Sequence, residues 1–202
     1  IDCIHTTAAS HNRVFMVEIM GHKAGWLTLN AGIAGGADII LIPEIPYNID
    51  SVIAKIKQRA ASGNGFTILA VAEGAISQKE AAMSKKEYKQ HMAELLEKYP
   101  SVSYAIADKI LKKTGKEVRV TVPGHMQRGG TPCAYDRVLS SRLGTTAALM
   151  ISKEEYGNMV AIQNHVITSV PLKEIAGKLK TIDPKSDIIT EARLLGISFG
   201  DD

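Results

Sequence analysis

The side chains best suited to chemistry lie in one cationic stretch, VTVPGHMQRGGTPCAYDR. His125 and Arg128 are three residues apart in a glycine-rich loop after a β-branched run, and Arg119 lies inside that run. No carboxylate occurs between Glu117 and Asp136. Guanidinium groups bind phosphate oxygens in a bidentate manner, and an imidazolium adds a further donor. The stretch therefore predicts a phosphate-binding loop; the alternative is that Arg128 pairs on the surface with Asp136 or Glu117.

A second candidate is the turn MGHKAG, in which Gly21 and Gly25 flank His22 and Lys23. Glycines allow a ligand to approach the backbone closely, and free N–H groups at the start of a helix favour an anionic or hydroxyl-rich partner. The same residues are also needed simply to turn a strand into a packed helix, so both interpretations stay open. The turn is not a GxGxxG dinucleotide fingerprint.

Two carboxylates follow apolar runs. Glu73 ends the run FTILAVAE, and Glu44 ends ADIILIPE. A carboxylate at the end of a strand can accept hydrogen bonds from ligand hydroxyls, and it needs some donor because burial without partners is costly. For Glu73, a sugar hydroxyl or a neighbouring lysine would serve, whereas for Glu44 we favour the capping of a loop.

The elements that must position these residues alternate along the chain. Unbroken apolar runs favour strands buried on both faces of a parallel sheet, and in such sheets ligands bind at the carboxyl ends of the strands. The predicted strands are Arg13–Met20, Ala37–Glu44, Phe66–Glu73, Glu117–Pro123 and Asn158–Asn164.

Helix signals separate the predicted strands. They include Asp50 as a cap, a Ser84–Glu87 capping box, an amphipathic helix from Val102 to Lys113, a long helix from Ala134, and Asp183 before a helix-starting proline. The alternation predicts an α/β fold, a Rossmann-like three-layer αβα sandwich with a mostly parallel sheet.

The composition limits the possible functions. Net charge is +3, with 24 basic and 21 acidic residues interspersed, which does not favour a nucleic-acid-binding protein. No apolar run approaches the roughly 20 residues of a membrane span. Cys3 and Cys133 show no disulfide or CxxC pattern, so we expect a reducing cytoplasm. A metal site formed by Cys3, His5 and His11 is disfavoured, because no fourth ligand lies at a familiar spacing.

In these loops and the segments around them, the sequence resembles the C-terminal half of members of the 6-phosphofructokinase family. The matching segments are MVEIMGHKAGWLTLNAGIAGGADIILIPE, AVAEG and PGHMQRGGTPCAYDRVLSSRLG, in the family's order. EARLLGISFGDD resembles the end of the family's mixed-substrate branch, in which ATP or diphosphate is the donor. The chain opens on IDCIHTTAASHNR without an initiating Met, so we expect a fragment.

The resemblance implies the following roles. The family phosphorylates fructose 6-phosphate in glycolysis, using ATP or diphosphate with Mg²⁺, and works as a dimer or tetramer. The residues implied to bind substrate in the chain's own site are Met20, Gly21, His22, Glu73, His125 and Arg128. Arg13 and Arg119 match the pair that family members lend to a neighbouring subunit's site.

The resemblance also implies that this chain consists of two parts with different roles. Residues 1–130 would form the fructose 6-phosphate-binding domain, and residues 131–202 would pack partly toward an absent donor-binding domain and return to the substrate domain. Mg²⁺ ligands, the donor loops and the TIDND motif with the family's general base have no match here. We therefore expect no catalytic residue and no metal site in this chain, and no activity from it alone.

Two departures from the family pattern and two alternative functions remain. His22 replaces the family's arginine, so charge at this position depends on pH. Ser62 and Asn64 stand where allosteric bacterial members carry basic residues, which makes that effector control doubtful. The alternative function is a non-catalytic sugar-phosphate-binding or subunit-pairing module; a dinucleotide oxidoreductase is disfavoured.

Overall fold

The computed structural model describes residues 1–10 and 13–201 of the chain. In chain order the elements are α1 (Asp2–Ala8), β1 (Val14–Ile19), α2 (Trp26–Ala34), β2 (Ile39–Leu41), α3 (Ile49–Ala61), β3 (Thr67–Ala72), α4 (Gln78–Ala81), α5 (Lys85–Lys98), α6 (Val102–Thr114), β4 (Val118–Thr121), α7 (Ala134–Ser152), β5 (Asn158–Gln163), β6 (Val166–Pro171), α8 (Leu172–Ile175) and α9 (Asp187–Leu194). A 3-10 helix, Gly124–Arg128, follows β4. The chain divides into two units, Ile1–Gln127 with Lys180–Asp202, and Arg128–Leu179.

The first unit contains a four-stranded parallel sheet in the order β2-β3-β1-β4. The chain moves from β1 outward to β2, then back to β3, and finally across β1 to β4. The connection from β1 outward to β2 contains α2, which lies on one face of the sheet. The connections that run in the opposite direction contain α3 and α6, which lie on the other face. Crossovers of a single handedness require this arrangement. β1 thus has a hydrogen-bonded neighbour on each side.

Side chains of the strands alternate between two apolar cores, one on each face of the sheet. On one face, Phe15, Val17 and Ile19 of β1 pack with residues of α2 and α9. On the other face, Val14 and Met16 pack with residues of α3 and α6. The predicted parallel α/β sheet with flanking helices is confirmed, and the burial of every residue of β1 and β3 explains their unbroken apolar runs.

The second unit corrects the predicted topology. The predicted fifth strand exists as β5, but it pairs antiparallel with β6, a strand that was not predicted. Asn164 and His165 form the turn between them with positive φ angles of 50° and 66°, the conformation of a tight hairpin turn. No crossover helix connects β5 to β6, and the two strands form a separate two-stranded sheet.

Several helix ends were predicted correctly and two were not. Ser84 and Glu87 form the predicted capping box, and α6 ends at Gly115 in a left-handed conformation. However, α3 is capped by Asn48, whose side chain accepts from the Asp50 backbone N–H. Likewise, Ser186 rather than Asp183 precedes α9.

The boundaries between the two units fall after Gln127 and after Leu179. The roles predicted for residues 1–130 and 131–202 stay predictions. None of the helices in residues 1–10 and 13–201 combines the length and the apolarity that crossing a membrane requires.

A buried carboxylate joins the sheet to the start of α6. Glu18 in β1 is only 7% exposed. Its Oε2 accepts hydrogen bonds from Ser101 Oγ at 2.5 Å and from the Ser103 backbone N–H at 3.2 Å. Ser101 is the N-cap residue of α6, yet its side chain makes no cap bond within the helix. Glu18 therefore supplies the negative charge and the acceptor that the first turn of α6 requires.

We expect Glu18→Gln to lower the free energy of unfolding by about 2 kcal/mol, because hydrogen bonds to a charged acceptor contribute more than those to a neutral one. Urea denaturation followed by the fluorescence of Trp26, the single tryptophan, measures this change. Glu97→Gln on the exposed surface of α5 is the matched control, and its effect should stay within about 0.5 kcal/mol. Equal effects of the two substitutions would contradict the capping role of Glu18.

Candidate functional site

The carboxyl ends of β1 and β3 are joined through Glu73. Its Oε1 accepts hydrogen bonds from the backbone N–H groups of Gly21 at 3.1 Å and of His22 at 2.6 Å. His22 has a φ of 53° and Gly21 a φ of 154°, so the turn after β1 is held in a conformation that L-residues rarely adopt. Glu73 Oε2 has no hydrogen-bond partner within residues 1–10 and 13–201. One oxygen of the carboxylate thus fixes the turn, and the other can accept from a ligand.

Gly74 lets the two loops approach each other. A Cβ at this position would lie 2.0 Å from the carbonyl oxygen of His22, which is shorter than any real contact. The backbone after β3 therefore passes directly against the turn after β1. Here the glycine is required by close approach of two backbones.

Glu44 has a structural role. Its carboxylate accepts from the backbone N–H of Gly25, the N-cap residue of α2, at 2.9 and 3.1 Å. It also accepts from the Ile182 N–H at 3.1 Å. The capping interpretation is confirmed, and the capped element is the start of α2 together with the segment before α9.

The loop after β4 is held against the end of β1 by Gln127. Gln127 Oε1 accepts from the Met20 backbone N–H at 3.1 Å, and Gln127 Nε2 donates to the Gly124 carbonyl at 3.3 Å. His125 lies in the same 3-10 helix with an exposed side chain. No role was predicted for Gln127 from the sequence, since a glutamine in a loop has no periodic or capping signature.

Arg128 is exposed and begins the second unit. Within its own unit, Arg128 forms no ion pair with Asp136, whose carboxylate accepts from the Cys133 backbone N–H. The alternative pairing of Arg128 with Asp136 is therefore wrong, and its pairing with Glu117, which lies in the first unit, stays a prediction. The joint role of His125 and Arg128 in phosphate binding stays a prediction.

Arg13 and Arg119 come together at the opposite edge of the sheet. Arg13 Nε lies 3.1 Å from Glu117 Oε2, and Arg119 Nη2 lies 2.7 Å from Glu117 Oε1. Arg119 pairs in register with Phe15, near the amino end of β1. Two guanidinium groups share one carboxylate and all three side chains are partly exposed, so the cluster keeps a net positive charge at the surface.

A cavity of about 730 Å³ opens beside His22 and Glu73. Its volume is in the range of small-molecule sites. The cavity was not predicted, because its wall includes the short helix α4 and side chains of α5 that are apart from the candidate residues in sequence. The apolar part of this wall includes Ile76, Met83, Tyr88, Met92 and Leu96.

Glu80 of α4 also lines the cavity and is 8% exposed. Burial raises the pKa of its carboxyl, but hydrogen bonds from Ser77 and from His91, at 3.0 Å, outweigh burial and leave this pKa below its usual value. Burial, with the Glu80 charge as a smaller cause, raises the pKa of Tyr88. Glu80 is thus a charged, fully bonded anchor for α4 rather than a free acid.

The residues described do not provide a metal centre. Within positions 1–10 and 13–201, no three His, Cys, Asp or Glu side chains are grouped to hold a metal ion. Cys3 and Cys133 are exposed free cysteines. His11, the third member of the candidate Cys3–His5–His11 set, lies outside the described residues.

Comparisons with a family model and with curated relatives point to the same family. A family model described as phosphofructokinase matches residues 1–151. An ATP-dependent 6-phosphofructokinase of Spirochaeta thermophila is 49% identical over 201 residues, covering 100% of this chain and 54% of the relative. One from Propionibacterium freudenreichii is 43% identical, covering 100% of this chain and 58% of the relative. The chain thus spans about half the length of the curated relatives it matches.

Solved structures that are similar to this chain include phosphofructokinases. Phosphofructokinase from Saccharomyces cerevisiae superposes with a TM-score of 0.65 at 33% identity, covering 86% of this chain and 22% of that one. A pyrophosphate-dependent phosphofructokinase from Nitrosospira multiformis gives a TM-score of 0.72 at 18% identity, covering 97% of this chain and 51% of that one. The second likeness supports the fold alone.

We expect Gly74→Ala to lower the free energy of unfolding by about 3 kcal/mol, because the added Cβ must displace the His22 carbonyl. Gly144→Ala is the control: apart from the neighbouring residues and backbone of α7, no described atom lies within 4 Å of its Cβ position, and replacing a helical glycine should stabilise by up to about 1 kcal/mol. Urea denaturation measures both changes. A Gly74→Ala variant as stable as the original chain would rule out the close approach of the two loops.

Proposed function

The chain belongs to the phosphofructokinase family, and on that premise we propose that it is the sugar-phosphate-binding part of an enzyme that phosphorylates fructose 6-phosphate to fructose 1,6-bisphosphate in glycolysis. The observation that carries the proposal is the junction of Glu73 with the Gly21–His22 backbone. This junction leaves Glu73 Oε2 available at the carboxyl edge of the sheet, where open α/β sheets bind ligands.

Each residue at this edge has a task in the proposed complex. The turn at Met20, Gly21 and His22 allows the sugar to approach the backbone. Glu73 Oε2 accepts from a sugar hydroxyl, and His125 with Arg128 binds the 6-phosphate. These groups orient the sugar so that its 1-hydroxyl faces the phosphoryl donor, which is a major part of catalysis in phosphoryl transfer.

We propose ATP as the donor, because the relatives at 43–49% identity are named ATP-dependent. Phosphoryl transfer from ATP uses a divalent cation, here Mg²⁺, which neutralises charge on the phosphates. The donor loops and the general-base motif that the family resemblance implies have no match in this chain. We therefore assign the cation, the donor and the removal of the hydroxyl proton to the half of the relatives that this chain does not match. The proposed enzyme is cytoplasmic.

Arg13 and Arg119 support a site shared between subunits. They lie at the amino edge of the sheet, whereas Glu73 and His125 follow the carboxyl ends of the strands. Seven residues of extended chain separate Arg13 from Met20, a distance of roughly 20 Å. We propose that these arginines serve the phosphate site of a second copy in a dimer or tetramer.

The function is tested by joining the N-terminal remainder of the Spirochaeta thermophila relative to this chain. The chimera should phosphorylate fructose 6-phosphate with ATP, and Arg128→Ala should raise the Michaelis constant for the sugar phosphate by about 100-fold through the loss of charge-assisted hydrogen bonds. Lys178→Ala, which removes one exposed positive charge, is the control and should leave this constant unchanged.

An inactive chimera that still binds fructose 6-phosphate would favour the non-catalytic binding module instead. An active chimera whose Michaelis constant does not respond to Arg128→Ala would remove the phosphate role of the loop. A chimera that neither binds nor phosphorylates the sugar would overturn the proposed function.

Sharing between subunits is tested by mixing two variants of the chimera. Arg119→Ala damages the site of the neighbour, and Arg128→Ala damages the protomer's own site. In randomly mixed dimers half of the pairs contain one of each, and each such pair has one intact site, so about a quarter of the original activity should return. Steady-state assays after dissociation and reassociation measure the recovery. No recovery above the separate variants would place Arg119 outside the shared site.

A further inference from the structure

We propose that Gln127 is a positioning residue. Its side chain accepts the hydrogen bond of the Met20 N–H, which lies beyond the end of β4, and thereby fixes His125 relative to Met20 at the sugar-phosphate site. The proposal rests on the proposed function for the identity of the ligand. It concerns a residue that makes its contacts to the backbone of the protein, not to the substrate.

The argument begins with the direction of the backbone N–H groups of β1. In a parallel strand, successive N–H groups face alternate neighbours. The Val14 N–H donates to Glu117 O, before β4, so the N–H groups of residues 16, 18 and 20 also face the β4 side. Pairing between β1 and β4 ends at Val17 with Thr121. The Met20 N–H therefore lies beyond the last rung and has no strand partner.

Gln127 supplies the missing acceptor. Its Oε1 lies 3.1 Å from the nitrogen of the partly buried Met20, so it satisfies an N–H that has no strand partner. The same amide donates from Nε2 to the Gly124 carbonyl at 3.3 Å. The reverse orientation of the amide would place two donors against each other at Met20. Both contacts thus require the same orientation, and the separate oxygen and nitrogen of the amide satisfy them together.

These two bonds connect the halves of the candidate site. Met20 begins the turn that Glu73 holds from the β3 side. Gly124 has a φ of 54° and starts the 3-10 helix that carries His125. Gln127 is consequently the polar link on the β4 side of Met20, as Glu73 is the link on the β3 side. Without it, His125 would lie on a loop with one fewer attachment to the sheet.

The chimera described above provides the test. Gln127→Met keeps the length of the side chain but removes both hydrogen bonds. It should raise the Michaelis constant for fructose 6-phosphate about tenfold, because His125 is then less well positioned for the substrate, and leave kcat within about twofold. A general loss of folded protein would lower kcat instead. Gln58→Met on the exposed face of α3 is the matched control and should change neither constant.

A second variant separates the two bonds. Gln127→Glu keeps an acceptor for the Met20 N–H but cannot donate to Gly124. Residue-resolved hydrogen–deuterium exchange should show Met20 deprotected in Gln127→Met and protected in Gln127→Glu. Both variants should raise the Michaelis constant, because the Gly124 bond is lost in each and the glutamate adds repulsion toward phosphate.

The outcomes distinguish the two claims. If the unmodified chimera neither binds nor phosphorylates fructose 6-phosphate, the proposed function falls, and the substrate role of Gln127 falls with it. If that chimera is active but Gln127→Met matches Gln58→Met in the Michaelis constant, the positioning role is overturned and the proposed function stands. The positioning role is also overturned if Met20 exchanges equally fast in the unmodified chimera and in Gln127→Met.

Discussion

β1 lies between β3 and β4 with both of its faces buried, and the rest of the first unit depends on this position. Its side chains alternate between two cores, so a shift by one residue would carry Phe15 and Met16 into the wrong layers. The register is therefore held by packing. Consequently the turn after β1 meets the loops after β3 and β4 at one edge, where Glu73 and Gln127 attach to it from either side.

The same sheet separates two sets of charged groups. The carboxyl edge carries Glu73 and the loop of His125, and the amino edge carries Arg13 and Arg119 around Glu117. The length of β1 keeps the edges apart, so one copy of the sheet cannot bring both sets to one ligand. This geometry is the physical basis for proposing a site completed by a second copy. Glu117 holds the two guanidinium groups near each other.

Sequence patterns predicted the elements where burial and turn chemistry are strong. The runs of β1 and β3 are apolar because both faces are covered, and the Ser84–Glu87 box is a local signal that needs no tertiary partner. The pattern was insufficient for β6, which is partly exposed and follows a turn without glycine. It also indicated Asp50 as the cap of α3, where the structure has Asn48, because either side chain can accept from a helix N–H. The four-residue helix α4 is too short to produce a periodic signal.

By itself, the sequence determined a parallel α/β fold, the loops that follow its strands, and a family resemblance that the comparisons confirmed. Only the tertiary structure decided the order β2-β3-β1-β4, the attachment of Gly21 and His22 to one oxygen of Glu73, the sharing of Glu117 by two arginines, and the partner of Gln127. The reason is physical. Apolar periodicity and turn residues report how each segment is buried, whereas hydrogen-bond partners across a sheet depend on which distant strands become neighbours.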